Sequence, residues 1–154
     1  MRLLRNGIIF IATVGYIGYF PVAPGTAGSL IGFLIFWIAD LTPLTLSVII
    51  LLLFPLGVYV SDKTEKIFEK SDPPEIVLDE VVGTFISVFL LPKKIEYIIP
   101  AFFLFRFFDI VKPYPIRKID ETVKGGFGVM LDDVVAAVYT NLTLHSVRFF
   151  YEGR

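Results

Sequence analysis

Leu44-Thr45-Leu46-Ser47-Val48-Ile49-Ile50-Leu51-Leu52-Leu53-Phe54-Pro55-Leu56-Gly57-Val58-Tyr59-Val60 runs without a single charge, and its reading decides the fold class. A helix rises ~1.5 Å per residue, so crossing a bilayer takes ~20 apolar residues. This stretch approaches that length, as does the stretch over 129–147. Another run covers 95–111, and three more, over 7–20, 28–39 and 81–91, are shorter. A helix of 11 or 12 residues covers under ~20 Å. Such pieces would re-enter the membrane, extend into their polar flanks, or lie buried as core helices. Ile, Val, Phe and Tyr are abundant, which raises the competing reading of strands. The runs are long and continuous, without alternation or regular hairpin turns, so they read as helices. The expectation is an all-α fold: a compact, multi-pass membrane helical domain containing short and re-entrant helices.

Composition points the same way. Of 154 residues, 55% are hydrophobic, and the mean hydropathy is +0.75. A soluble domain of this length is rarely so apolar. The net charge of −1 supplies no basic footprint, which argues against a nucleic-acid partner. No cysteine is present, which removes disulfides, thiolate metal sites and cysteine nucleophiles together. The basic N-terminus, Met1-Arg2-Leu3-Leu4-Arg5, leads into an apolar run resembling a signal peptide. No small-x-small cleavage pattern follows, so the run is expected to be retained. No repeat or low-complexity linker divides the chain, so residues 1–154 are expected to form one domain.

Lysines and arginines gather at 2–5, 63–70 and 112–124, whereas the connection from Asp40 to Pro43 carries none. If the five stretches after the first cross in alternation, these basic segments share one side. The positive-inside rule makes that side the cytoplasm. Lys93 and Lys94 run against this pattern unless they snorkel to the opposite interface.

With the same alternation, five carboxylates fall at one depth. Asp79 and Glu80 open the third stretch, Asp109 lies late in the fourth, and Asp132 and Asp133 begin the fifth. Carboxylates in apolar segments are costly and usually face partners inside the protein. Taken singly, Asp79 or Asp132 fits a helix N-cap or a first-turn acid. That reading fails for Asp109, where a negative charge would oppose the dipole, and leaves both doublets unexplained. Hard oxygen ligands at one depth suit Mg²⁺. Arg106, Asp109 and Lys112 are spaced by three and lie near one another on a helix surface. They read either as a neutralising ion pair or as a phosphate clamp beside a metal ligand. Pro24-Gly25-Thr26-Ala27-Gly28-Ser29 leads into the second stretch. It would cap that helix through Thr26 or Ser29, or offer backbone N–H groups to an anion. Gly125-Gly126-Phe127-Gly128 is a flexible turn, or a close backbone approach ahead of Asp132. His145 is the only histidine, far along the last stretch, and receives no role.

Together, Pro24–Ser29, Leu78-Asp79-Glu80-Val81-Val82-Gly83, Phe105-Arg106-Phe107-Phe108-Asp109 running into Lys112-Pro113-Tyr114-Pro115-Ile116, and Gly125-Gly126 through Asp132-Asp133 resemble the motif set of the phosphatidylglycerophosphatase A family. They occur in that family's order from about Gly15 to Tyr139. The resemblance implies a Mg²⁺-dependent enzyme of a bacterial cytoplasmic membrane, with its site facing the cytoplasm. It would hydrolyse phosphatidylglycerophosphate to phosphatidylglycerol and phosphate.

The residues agree by exclusion. The lone histidine cannot serve as both nucleophile and acid, and no Asp-x-Asp pair occurs. Metal-assisted attack by water remains. On this reading Asp79, Glu80, Asp109, Asp132 and Asp133 hold Mg²⁺. Arg106, Lys112 and the Thr26, Gly28 and Ser29 turn bind the phosphoryl group, and Glu80 or Asp79 is the general base. The competing class is a small ion or proton transporter or an assembly subunit. Transport favours acids spread in depth near the midplane, whereas these cluster at one end. A CDP-alcohol phosphotransferase would need an Asp-Gly-x-x-Ala-Arg motif, which does not occur.

Overall fold

The computed structural model describes residues 2–152, and no strand occurs among them. Helix α1 covers Arg2–Ala12, α2 Pro24–Ile38, α3 Pro43–Phe68, α4 Leu78–Ser87, α5 Ile95–Val111, α6 Ile116–Thr122 and α7 Gly125–Glu152, with a 3-10 turn at Ile17–Tyr19. The expected all-α architecture is what the chain adopts.

Several boundaries follow from local chemistry. Pro24 and Pro43 sit in first turns, where a missing N–H costs nothing. Thr42 caps α3 by accepting from the Thr45 N–H at 3.1 Å. The apolar run over 7–20 does not make one helix. Val14, Gly15 and Tyr16 all take left-handed backbone (φ 47, 66 and 70°), which stops α1 at Ala12. The cap of α2 is Ala23, also left-handed and without a side-chain hydrogen bond, so Thr26 and Ser29 lie inside the helix. The capping reading of those two residues therefore does not hold.

The last helix also starts earlier than its apolar run. Gly125 and Gly126 are its first residues, although glycine is a poor helix former. The reason is contact: a Cβ on Gly126 would overlap the Val58 carbonyl and the Asp62 N–H of α3. The two longest helices thus touch backbone to backbone, and the Gly-rich segment is a packed helix start rather than a flexible turn. Asp132 consequently stands at the eighth position of α7, which overturns its reading as a helix-opening acid.

Helix α7 packs against α3, α4, α5 and α6, and α4 lies between α7 and α2. No residue of α4 is exposed. Its ten residues rise only ~15 Å, so this segment is a buried core helix. Its apolar face joins Phe33 and Phe36 of α2, Leu46 of α3, Ala101 of α5 and Leu144 of α7 in the principal core. A second cluster of Ala12, Val60, Ile76, Leu78 and Val129 ties α1 and α3 to the entry of α4.

Helices α3 and α7 are long and apolar enough to cross a membrane. A soluble core helix would be largely buried, but only 22% of the apolar window of α3 is, against 50% for α7. Leu51 and Leu52 on α3, Phe103 on α5 and Leu142 on α7 point outward. So large an apolar exterior marks a surface made for something other than water. At one end of the bundle Lys93 donates to the Ala39 carbonyl at 2.9 Å, joining the end of α2 to the connection before α5. His145 lies toward that end, its Nε2 3.1 Å from the Phe89 carbonyl oxygen. The starts of α4 and α7 and the end of α5 come together at the other end.

Candidate active site

Asp79 and Glu80 occupy the first turn of α4, Asp109 the last turn of α5, and Asp132 and Asp133 the third turn of α7. With Arg106 and Lys112 they line one cavity of about 270 Å³, walled also by Pro24, Gly25 and Asp72. All five expected carboxylates and both expected cations converge there.

The cavity contains a tight trio. One carboxylate oxygen each from Asp79, Glu80 and Asp133 lies within 4.8 Å of the others. Asp79 Oδ1, Glu80 Oε2, Asp132 Oδ1 and Asp133 Oδ2 are buried and lack any hydrogen-bond partner. Buried polar atoms are normally satisfied, so four orphaned oxygens in one cavity require an explanation. Six acids line the cavity against two cations, a formal excess of negative charge. Like charges in a desolvated space are neutralised by a counter-cation or by protons. The trio could hold a metal ion, and an all-carboxylate donor set suits a hard one.

The cations divide the remaining acids between them. Arg106, 15% exposed, reaches Asp109 Oδ2 at 2.6 Å and Glu80 Oε1 at 3.7 Å. The same Nη1 donates to Ser29 Oγ at 3.4 Å, while Ser29 Oγ donates to the Gly25 carbonyl at 2.8 Å. The i,i+3 spacing thus makes the expected ion pair, and Arg106 Nε remains buried without a partner. Lys112 turns away from the Arg106 row because its backbone is left-handed (φ 46°), ending α5. Its Nζ donates to Asp132 Oδ2 at 2.7 Å and to Asp120 Oδ1 at 2.8 Å. Burial works against the Lys112 charge, but the hydrogen bonds to Asp120 and Asp132 outweigh it and raise its pKa above the ordinary lysine value.

The Pro24–Ser29 turn contributes unevenly. Gly25 lines the cavity, and a Cβ there would overlap Glu80 Oε1 and press on both terminal nitrogens of Arg106 at 3.2 Å. Gly28 packs on Val77, and Thr26 faces a neighbouring apolar pocket. Of the three phosphate-binding residues expected in this turn, Ser29 alone has a contact with a cation of the cavity.

Two acids escaped the sequence reading. Asp72 lines the cavity from the loop before α4, and Asp120 of α6 holds Lys112. The only sequence signal for Asp72 is its place in Ser71-Asp72-Pro73-Pro74, shortly before Asp79. Ala23, Asp72 and Lys112, all cavity residues, carry left-handed backbone without being glycine. Such conformations cost of order 1–3 kcal/mol and cluster at functional sites.

The sequence profile of phosphatidylglycerophosphatase A matches residues 10–148. A phosphatidylglycerophosphatase A of Haemophilus influenzae is 40% identical over 151 residues, covering 96% of this chain and 92% of that protein. A putative phosphatidylinositol-3-phosphatase of Bacteroides thetaiotaomicron is 41% identical over 142 residues, 86% and 87% of the two chains. A phosphatidylglycerophosphatase A of Escherichia coli is 37% identical over 140 residues, 89% and 81% of the two. No solved structure matches the chain.

Proposed function

The chain belongs to the phosphatidylglycerophosphatase A family and is a phosphatase, and from that premise we propose that it hydrolyses phosphatidylglycerophosphate to phosphatidylglycerol and phosphate with Mg²⁺. The observation that carries the reading is the meeting of Asp79, Glu80 and Asp133, with orphaned oxygens, beside Arg106 and Lys112 in one cavity. An ion or proton transporter is set aside, since the family is enzymatic and its acids gather at one end of the bundle.

In the proposed mechanism Asp79, Glu80 and Asp133 hold Mg²⁺, with Asp109 and Asp132 completing the acidic wall. When bound, the ion supplies Lewis-acid stabilisation of phosphoryl charge and acidifies water. Arg106 and Lys112 orient the phosphoryl oxygens, with Ser29 supporting Arg106 from α2. Water attacks phosphorus while the bond to the lipid oxygen breaks. Glu80 or Asp79 takes the water proton and returns it to the leaving alkoxide. The buried setting of α4 keeps these carboxylates from moving as charge shifts.

The apolar exterior of α3, α5 and α7 suits a bilayer, and the basic segments at the site end suit a cytoplasmic-facing site. Residues 1–154 would act as one domain in a bacterial cytoplasmic membrane.

The test is phosphate release in detergent micelles with Mg²⁺, then with excess EDTA. Phosphatidylinositol 3-phosphate runs in parallel, because one relative bears that activity in its name. Metal-dependent release from phosphatidylglycerophosphate, lost in Asp133→Asn, is the expected result. Release that survives EDTA would refute the metal, and preference for the inositol lipid would refute the substrate.

A further inference from the structure

Next to the acidic cavity lies a second, larger one of about 740 Å³ with the opposite chemistry, lined by Tyr16, Phe20, Val22, Ala27, Leu30 and Ile31 among others. The two share Ala23, the left-handed residue that opens α2. Pro24 and Gly25, the next two residues, already belong to the acidic wall. A ligand with a phosphate ester at one end and a hydrocarbon at the other would therefore pass from polar to apolar surroundings across a single residue.

The apolar pocket is fixed rather than formed by a slack loop. Tyr16 and Ala23 hold left-handed backbone in its wall, Val14 and Gly15 do so just before it, and the Gly18 N–H donates to the Thr13 carbonyl at 3.0 Å. Gly18 lies so close to the Glu75 carbonyl that no Cβ fits between them. Tyr16 stacks edge-on against Phe10 at 5.5 Å and tilts against Tyr19 at 6.1 Å. Both tyrosines are about half exposed, and tyrosines favour the headgroup level of a bilayer. From Leu30 the pocket continues into the outward face of α2, where Leu34 and Ile38 are exposed at helical spacing. Apart from the two tyrosines, Thr26 is the one polar side chain in this lining.

We infer that this pocket between the 3-10 turn and the start of α2 is the acyl-chain subsite, seating one fatty acyl chain of the lipid substrate while the phosphate ester lies across Ala23 in the acidic cavity. The inference rests on the lipid-phosphatase reading and adds to it a built-in preference for a membrane-anchored substrate. Tyr16, Ala27 and Leu30 become specificity residues, and the bilayer supplies the chain sideways along α2.

The experiment compares two substrates in wild type and in Ala27→Phe, which fills the pocket near the shared residue. One is dipalmitoyl phosphatidylglycerophosphate in micelles; the other is its deacylated, water-soluble headgroup. The expected result is a fall of at least about ten-fold in the ratio of kcat/KM for the acylated over the deacylated substrate. An unchanged ratio, whether both activities fall or neither does, overturns the subsite. Wild type releasing phosphate from neither substrate would instead sink the phosphatase reading. A second measurement does not depend on turnover: a substrate carrying a diazirine in its acyl chain is photolysed on the wild-type protein, and the labelled peptides are mapped. Label concentrated within residues 16–31 supports the subsite, and label spread over the outward faces of α3 and α7 refutes it.

Discussion

Gly25→Ala separates the site from the fold in a single atom. Alanine is the best helix former, and Gly25 is the second residue of α2 with ordinary helical φ. On propensity alone the change stabilises the helix by up to ~1 kcal/mol. The added Cβ, however, falls on Glu80 Oε1 and lies 3.2 Å from both terminal nitrogens of Arg106. Ordinary contact needs about 3.5 Å or more, so the Glu80 carboxylate has to withdraw by at least about 1 Å. Its withdrawal opens the trio with Asp79 and Asp133 and loosens the 3.7 Å contact to Arg106. A misplacement of that size costs on the order of 10²-fold in rate. The expected outcome is a kcat for phosphate release about 100-fold below wild type, with a melting temperature in detergent equal to or above it. Activity within about three-fold of wild type would refute the geometry. So would a melting temperature that falls in step with activity.

Other expectations follow from the same contacts. Gly126→Ala is the counterpart in the frame: its Cβ meets the α3 backbone at Val58 and Asp62, which cannot swing aside, so stability drops by about 1–3 kcal/mol. A chemical melt reads this, and unchanged stability would mean that α3 and α7 are not packed so closely. Asp133→Asn removes a trio oxygen and a like charge. Thermal melts should show wild type gaining ~2.7 kcal/mol at Mg²⁺ near a hundred times its dissociation constant, and the variant gaining nothing. An equal gain in both would take Asp133 out of the metal site. Because the pKa of Lys112 is raised, its charge and the stability tied to it persist below the ordinary lysine value and are lost only in stronger alkali. Lys112→Met should therefore lower activity about 100-fold by the same factor at pH 6 and pH 9. A factor that changes between the two would show that Lys112 titrates in that range.

The site was legible where periodicity and alternation could carry it. Asp79, Glu80, Asp109, Asp132 and Asp133 share one end because helices that run back and forth return their ends to the same level. Arg106 and Asp109 meet because residues three apart on a helix are neighbours. What stayed hidden depends on backbone that leaves helical register. Lys112, six residues on from Arg106, would continue the Arg106 row on an unbroken helix, but a left-handed turn sends it to Asp120 and Asp132. Asp72 arrives from a loop with its own left-handed turn, which no hydrophobic period marks. The glycines were half legible for a related reason. Gly125 and Gly126 read as a flexible turn or as a close backbone approach ahead of Asp132; they open α7, and the close approach at Gly126 is to α3, while at Gly25, in the first turn of α2, Glu80 is too near for a side chain. Propensity describes a helix alone, and these helices are not alone.

The brevity of α4 has a mechanical consequence. In the proposed bilayer setting, α3 and α7 are the parts long enough to register the thickness of the hydrocarbon layer, and they would tilt or stretch their polar flanks when it changes. α4, enclosed by α2 and α7 with no exposed residue, has no such boundary to match. The helix that carries Asp79 and Glu80 is therefore suspended inside the frame like a compass in gimbals. The frame can lean with a membrane whose composition the product itself alters, while Asp79 and Glu80 keep the aim that the core packing gives them.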